Sequence, residues 1–103
     1  MRLRSSRDIR RVLKSGRRVG GESFVVYVDK GKEEVGRVAI VVGKKVGRAV
    51  LRNRVKRWCR EYFRTRQLWR LGVDMIIRVV KPVYSYREVE REISYLLRKV
   101  SRR

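Results

Sequence analysis

The stretch that decides the fold is VGRAVLRNRVKRWCREYFR, which runs from Val46 to Arg64. Apolar residues recur in it at intervals of three and four, and this spacing predicts an amphipathic helix of about five turns. Arginine and lysine fill many of the other positions, and the one asparagine of the sequence, Asn53, lies among them. The stretch therefore has to pack against a core while it carries dense like charge.

A step of ~100° per residue divides this helix into two faces. The apolar face spans roughly 100° and is predicted to pack on the core; it consists of Leu51, Val55, Trp58, Cys59 and Tyr62. The basic face spans roughly 140° on the far side; it consists of Arg52, Asn53, Lys56, Arg57, Arg60 and Arg64. Trp58 and Tyr62 could stack on bases, but their place on the apolar face favours core packing.

The basic face differs from an ordinary solvated helix surface, which mixes charges of both signs. Arg52, Lys56 and Arg60 are like-charged neighbours four residues apart, and they repel one another. Residues 35–60 contain nine lysines and arginines and no carboxylate. We therefore expect a bound polyanion to compensate this charge.

Asn53 is a weak helix former whose amide offers both a hydrogen-bond donor and an acceptor. A capping role would be the ordinary explanation, but a helix that begins near Gly47 or Arg48 places Asn53 about one turn inside. Contact with a ribose hydroxyl, a phosphate or a base edge would use both functions. We favour RNA contact over a local structural bond.

The whole chain is strongly basic, since 30 Lys and Arg against 10 Asp and Glu give a formal net charge of +20 over 103 residues. Such a charge repels itself unless a polyanion neutralises it. Nucleic acid is the favoured partner, ahead of an anionic membrane surface or an acidic protein. The length predicts a single domain over residues 1–103.

The composition argues against several other kinds of site. The chain has no histidine, and Cys59 is its single cysteine, so a zinc site or an internal disulfide is not expected. Asp8, Asp29 and Asp74 fall on different predicted elements, which argues against catalytic carboxylates. The glycines of Gly43–Arg48 lack P-loop spacing, so they predict anion binding without nucleotide hydrolysis. The N-terminus has no signal-peptide pattern and no apolar run has membrane-spanning length, which favours a cytoplasmic protein.

Helices are predicted at both ends of the chain. Residues 5–15 have the apolar spacing of a short helix, with Ser5 or Ser6 as its cap. The C-terminal stretch SYREVEREISYLLRKV predicts a longer amphipathic helix, in which Ser85 and Glu88 have the spacing of a capping box.

The middle of the chain is rich in β-forming residues. The segment SFVVYVDKGKEEVGRVAIVVGKK predicts two strands around a polar loop with glycines, the signature of a hairpin. GVDMIIRVVKP predicts a further strand that ends at Pro82, and residues 17–20 give a weak strand signal. The order helix, strands, helix, strand, helix predicts an α+β fold whose helices cover mainly one face of a small sheet.

The segment VGKKVGRAVLRNRVKRWCREYFR closely resembles the RNR-motif region of the protein subunit of bacterial ribonuclease P. The family pattern is an apolar residue, alanine, Arg-Asn-Arg, a second apolar residue, Lys-Arg and a further basic residue. It matches without gaps at Val46, Ala49, Arg52, Asn53, Arg54, Val55, Lys56, Arg57 and Arg60. The first helix and the strand segments also resemble the family, so the resemblance covers nearly the whole chain.

This resemblance implies the order α-β-β-β-α-β-α, a four-stranded sheet and a strand-helix-strand crossover of the unusual left hand. It implies that an RNA is the catalyst, that Mg²⁺ is held mainly by that RNA, and that the reaction removes the 5′ leader of precursor tRNA. The protein is then an accessory subunit of an endoribonuclease, without catalytic residues of its own. Its implied partners are the catalytic RNA and the leader, with no membrane and no obligate protein partner.

The resemblance also assigns residues to two sites. The residues assigned to RNA contact are Lys44, Lys45, Arg48, Arg52, Asn53, Arg54, Lys56, Arg57 and Arg60. The resemblance places a leader-binding cleft between the first helix and the sheet. The residues assigned to its floor are Ile9, Leu13 and Tyr27. The family often has phenylalanine at the first two of these positions, so Tyr27 is the best aromatic candidate for base stacking. A structural ribosomal protein or an RNA chaperone is the alternative, because it would need the same basic helix and sheet.

Overall fold

A computed structural model describes residues 2–101, and its elements have the order α-β-β-β-α-β-α. The helices are α1 (Ser6–Ser15), α2 (Ala49–Thr65) and α3 (Tyr86–Ser101), and the strands are β1 (Arg17–Gly20), β2 (Phe24–Lys30), β3 (Arg37–Val42) and β4 (Val73–Val79). Two short 3₁₀ helices, Lys44–Val46 and Leu68–Leu71, flank α2. The predicted α+β class, the weak first strand and both terminal helices are confirmed.

The four strands form one sheet in the order β1-β2-β4-β3. β1 pairs with β2 and β2 pairs with β4 in antiparallel fashion, whereas β3 and β4 are parallel. Parallel neighbours need a crossover connection, and α2 provides it. The left hand of this crossover stays a prediction.

The predicted hairpin between β2 and β3 is wrong, because β4 lies between these two strands. Most side chains of β4 are buried, so this strand is stable only with a neighbour on each side. The glycine-containing loop from β2 to β3 crosses the start of β4: Gly31 N donates to Gly72 O at 3.1 Å, and Gly36 N donates to Trp69 O at 2.7 Å. A Cβ atom on Gly36 would lie 2.8 Å from Val73 O. These glycines thus permit a close backbone approach rather than a hairpin turn.

Two of the three helices cover one face of the sheet, as expected, and α1 covers the other. Alternate side chains of each strand point to opposite faces. On one face, α2 and α3 enclose a main core that includes Phe24, Val26, Val55, Cys59, Ile77, Ile93 and Leu96. On the other face, α1 covers a smaller second core of Leu3, Val12, Val25, Tyr27 and Ile76, with Ile9 and Ala39 at its margin.

The apolar face of α2 is confirmed. Val55, Cys59 and Tyr62 are buried, and Leu51 and Trp58 pack against the main core with partial exposure. The hydroxyl groups of Tyr62 and Ser94 lie 2.6 Å apart, which joins α2 to α3 by a hydrogen bond. A rigid attachment to the core therefore fixes the direction of the opposite, basic face.

Phe63 is buried although the ideal helical step places it beside the basic residues. Leu68, from the 3₁₀ helix that follows α2, belongs to the same main core. The chain therefore folds over the last turn of α2 and encloses it from a second side.

The predicted capping box at the start of α3 is present. Glu88 N donates to Ser85 Oγ at 3.2 Å, and Ser85 N donates to Glu88 Oε2 at 2.9 Å. We expect Ser85→Ala to lower the free energy of unfolding by about 1 kcal/mol, because one N-terminal amide of the helix loses its acceptor. Urea unfolding measures this loss. The same change at the exposed Ser15 is the control, and equal midpoints for both variants would contradict the capping role.

Candidate nucleic-acid interface

The basic residues predicted to contact RNA lie along α2 and in the turn before it. The buried side chain of Val46 anchors the 3₁₀ turn, which places Lys44 and Lys45 beside the first turn of α2. The exposed members of this α2 surface are Lys44, Lys45, Arg48, Asn53, Arg54, Arg57 and Arg60, and the half-buried members are Arg52 and Lys56. The structure therefore brings together all nine predicted RNA-contact residues.

Asn53 is the fifth residue of α2, and its side chain is exposed. The N-cap residue is Arg48, which has no side-chain capping bond, and its carbonyl oxygen accepts from Arg52 N at 3.0 Å. A capping role for Asn53 is therefore excluded. Its amide lies in a shallow depression lined by Val50, Arg54 and Arg57.

The charge of the α2 surface is not offset within the described chain. None of its cations forms an ion pair with any part of residues 2–101. Glutamates nearby are engaged elsewhere: Glu61 pairs with Arg64 at 2.6 Å and Glu90 pairs with Arg66 at 3.0 Å. Arg52 Nε is buried and has no hydrogen-bond acceptor in the same range. The surface thus offers unmatched positive charge.

One row of the α2 surface, Arg52, Lys56 and Arg60, rises in steps of four residues. Arg60, at its end, lines a groove beside the outer edge of β3. We name this the edge groove; its lining is Arg2, Leu3, Arg4, Ile9, residues 38–41 and Arg60. The groove therefore joins the predicted RNA surface to a residue of the predicted leader cleft.

The N-terminal segment forms one wall of the edge groove. Arg2 bridges Val38 in parallel register, Leu3 N donates to Val38 O at 3.0 Å, and the Leu3 side chain is buried. Arg2 and Arg4 are exposed on either side of it. Sequence reasoning missed these two cations, although the alternation Arg-Leu-Arg is the period-two pattern of a strand.

The structure brings together two of the three predicted cleft residues. Ile9 and Tyr27 pack in the second core beneath α1. Tyr27 is only 8% exposed, so little of its ring is free to stack on a base. Leu13 is 45% exposed and lies on the outer side of α1. The predicted cleft therefore presents aliphatic side chains around Ile9 and little exposed aromatic surface.

The three aspartates that the sequence seemed to scatter converge at one end of the sheet, which corrects that expectation. Asp29 and Asp74 lie directly opposite each other on β2 and β4. Arg11 bonds both carboxylates, with 2.7 Å to Asp29 Oδ2, and Arg37 donates to Asp74 Oδ2 at 2.9 Å. Arg37 also lies 3.3 Å from Asp8. Two arginines therefore neutralise the like charges of the paired strands and fix α1 to the sheet.

The electrostatics of this aspartate cluster fit a structural role. A hydrogen bond from Lys32 lowers the pKa of the Asp8 carboxyl against the opposing effect of burial, and the nearby arginine charges add to the lowering. Hydrogen bonds to Asp74 raise the pKa values of both Arg11 and Arg37. These shifts hold Asp8, Arg11 and Arg37 in their charged forms at neutral pH.

The aspartate cluster does not fit a magnesium site, because guanidinium and ammonium groups already bond its carboxylates. In residues 2–101, no group of three or more histidine, cysteine or acidic residues is arranged to hold a metal ion. In the same range, no helix combines the length and apolar character needed to cross a membrane. Mg²⁺ held by an RNA partner stays a prediction.

Cys59 lies fully buried in the main core, where burial raises the pKa of its thiol to about 12 despite the opposing charge of Arg60. We expect iodoacetamide to leave Cys59 unmodified in the folded protein at pH 8 and to alkylate it in denaturant, because thiolate is the reactive form. Mass spectrometry of the intact protein measures this. Rapid alkylation without denaturant would contradict the burial.

The family model described as Ribonuclease P matches residues 1–101 of this chain. The chain belongs to the ribonuclease P protein family. A ribonuclease P protein component from Dictyoglomus thermophilum is 41% identical over 91 residues, which cover 86% of this chain and 74% of that protein. A ribonuclease P protein component from Bacillus velezensis is 37% identical over 103 residues, which cover 97% of this chain and 89% of that protein.

Solved structures of the ribonuclease P family have the same fold. The Staphylococcus aureus RNase P protein matches with a TM-score of 0.86 and 31% identity, over 96% of this chain and 94% of that chain. The Thermotoga maritima RNase P protein matches with a TM-score of 0.80 and 31% identity, over 96% of each chain. The four-stranded sheet with three helices is therefore the family fold.

Proposed function

We propose that this protein is the protein component of a ribonuclease P, which binds a catalytic RNA and the 5′ leader of precursor tRNA. In this role it assists the Mg²⁺-dependent removal of the leader, and the RNA carries the catalysis. The observation that supports the proposal best is the α2 surface: nine predicted RNA-contact residues lie along α2 and the turn before it, and its cations form no ion pair within residues 2–101.

The α2 surface suits an RNA backbone because it is both positive and rigid. Its helix is fixed to the main core through Val55, Cys59 and Tyr62. Cations that are already in place lower the electrostatic cost of bringing phosphates together, and they release counterions on binding. We infer that the protein reduces the repulsion between the phosphates of the catalytic RNA and those of the substrate.

Two side chains on α2 suit polar contacts beyond simple charge. Arg52 Nε is a buried donor that has no acceptor within residues 2–101, and it would gain one if the side chain turned outward to a phosphate or ribose oxygen. Asn53 is exposed between Arg52 and Arg54, and its amide can donate and accept at once. These two residues would fix the position of the bound RNA, whereas the lysines supply attraction alone.

The edge groove offers a path for the single-stranded leader. It begins at Arg60 on the α2 surface and continues between Arg2, Arg4 and the Ile9 side of α1. The arginines would contact leader phosphates, and the aliphatic wall would contact sugars and base edges. Because Tyr27 is largely buried, base stacking contributes little, and we expect a weak preference for leader sequence.

Reconstitution with a bacterial ribonuclease P RNA tests the proposed function. We expect the protein to restore 5′ leader removal from precursor tRNA at low Mg²⁺, where the RNA alone is slow. A precursor with a leader of one nucleotide is the matched substrate, and it should gain less from the protein. Equal rates with and without protein at every Mg²⁺ concentration would contradict the proposal and favour a structural ribosomal protein or an RNA chaperone.

A further inference from the structure

A second basic surface lies on α1, away from the residues assigned so far. Arg7, Arg10 and Lys14 are all exposed, and their spacing places them within an arc of about 60° on the helix. This arc points away from the sheet, because the buried residues Asp8 and Val12 occupy the opposite side of α1. We name these three residues the α1 stripe.

The charge of the α1 stripe has no counterpart on its own helix. Asp8 is the one acidic residue of Ser6–Ser15, and it points inward to Lys32 and Arg37. Within the described chain, the α1 stripe forms no ion pair. Its members are like-charged neighbours at three and four residues, which destabilises an isolated helix. An external anion would remove this cost.

The exposed side of α3 shows what an ordinary solvated face looks like in the same protein. Arg87 and Arg91 share their helix with Glu88, Glu90 and Glu92, so both signs are present. Glu90 also pairs with Arg66 across to the end of α2. The α1 stripe differs because every outward charge is positive.

The α1 stripe and the α2 surface face away from each other. α1 packs on the sheet face that carries Tyr27 and Ile76, whereas α2 packs on the face that carries Val26 and Ile77. The sheet and two helix layers, at about 10 Å per layer, therefore separate the two surfaces. The edge groove connects the two sides between Arg60 and Ile9, but the α1 stripe lies outside the lining of this groove.

We propose that the α1 stripe binds the phosphate backbone of a second RNA segment, separate from the segment at α2, so that the protein lies between two segments of one RNA. This inference rests on the proposed function for the identity of the polyanion as RNA. Three exposed cations on the outer side of one helix suit contact with phosphates, which fixes position without reading sequence. An anionic membrane fits less well, because α1 has already buried its apolar face in the second core.

Affinity of the full chain for a bacterial ribonuclease P RNA tests the proposal. We expect R7Q/R10Q/K14Q to bind about 50-fold more weakly at roughly 0.15 M salt, and the slope of log affinity against log salt to fall by about two to three. R87Q/R91Q/K99Q removes the same charge from α3 and is the matched control. Equal losses in the two variants would overturn the proposal, because net charge alone would then explain them.

Directed cleavage shows whether the two segments are separate. A hydroxyl-radical probe attached through Ser6→Cys or Val50→Cys reports RNA near α1 or near α2, and the buried Cys59 does not compete for the probe. The proposal predicts strong cleavage from each position at different nucleotides. Cleavage at the same nucleotides, or none from position 6, would overturn it. If variants at Arg52, Lys56 and Arg60 bind weakly while R7Q/R10Q/K14Q binds normally, the α1 proposal alone is overturned. If the unmodified protein does not bind the RNA at all, the proposed function fails.

Discussion

The variant R52A/K56A/R60A is expected to bind ribonuclease P RNA about 50-fold more weakly at roughly 0.15 M salt, because each cation lost leaves one phosphate unneutralised. Leader removal should fall in parallel at low Mg²⁺ and recover as Mg²⁺ rises, since added divalent cations replace the missing charge. The fold should be retained, because Arg60 is exposed, Arg52 and Lys56 are partly exposed, and none of the three belongs to the apolar face of Val55, Cys59 and Tyr62. The midpoint temperature of thermal unfolding should even rise slightly, because repulsion within the row is removed.

Single-turnover cleavage over a range of Mg²⁺ concentrations measures this effect. R87A/R91A/K99A on α3 is the matched control, since it removes the same charge from a helix of mixed sign. Unchanged cleavage by R52A/K56A/R60A at every Mg²⁺ concentration would contradict the assignment of the α2 surface. A large loss of thermal stability would instead show that this row takes part in packing.

Asp74→Ala is expected to lower the free energy of unfolding by about 3 to 5 kcal/mol, which is the usual cost of removing one partner from a buried ion pair. Asp74 is fully buried, and its carboxylate accepts from both Arg11 and Arg37. Without it, these guanidinium groups stay partly desolvated and lose their shared acceptor. The attachment of α1 to β3 and β4 should loosen first.

Urea unfolding of the whole chain measures this loss. Glu33→Ala is the control, because Glu33 is an exposed partner of Arg37 at 3.7 Å and should contribute less than about 1 kcal/mol. Equal unfolding midpoints for Asp74→Ala and Glu33→Ala would contradict the structural role of the aspartate cluster. Hydrogen exchange in α1 would then also be the same in both variants.

Features that depend on local periodicity were predictable from the sequence. The apolar face of α2 follows from a period of 3.6 residues, and the capping box at Ser85 and Glu88 follows from their spacing. Both are present in the structure. The buried state of Cys59 follows from the same period, because a thiol on an apolar arc behaves as a small hydrophobic group.

The order of the strands was not predictable, because it depends on contacts between distant parts of the chain. The loop between β2 and β3 has the composition of a hairpin, but β4 competes for the same edges and pairs with both strands. The composition of a segment indicates that it forms a strand, whereas the burial of the whole sheet decides which strands pair with it. Gly31 and Gly36 therefore allow the loop between β2 and β3 to pass close to the backbone before β4.

The aspartate cluster and the edge groove were not predictable for the same reason, since both depend on contacts between distant parts of the chain. Asp8, Asp29 and Asp74 lie far apart in sequence, and only the packing of α1 against β2 and β4 brings them within reach of Arg11 and Arg37. The cations at the N-terminus join the groove because Leu3 is buried beside β3. Sequence reasoning located the basic helix but not the surfaces that adjoin it.

The dependence of RNA affinity on salt tests most directly whether the α2 surface acts through phosphate contact. If about six phosphates are neutralised, the affinity of the unmodified protein for ribonuclease P RNA should fall about a thousandfold between ~50 and ~200 mM salt. R52A/K56A/R60A should lower the slope by about two to three. A nearly flat response of the unmodified protein would contradict the account.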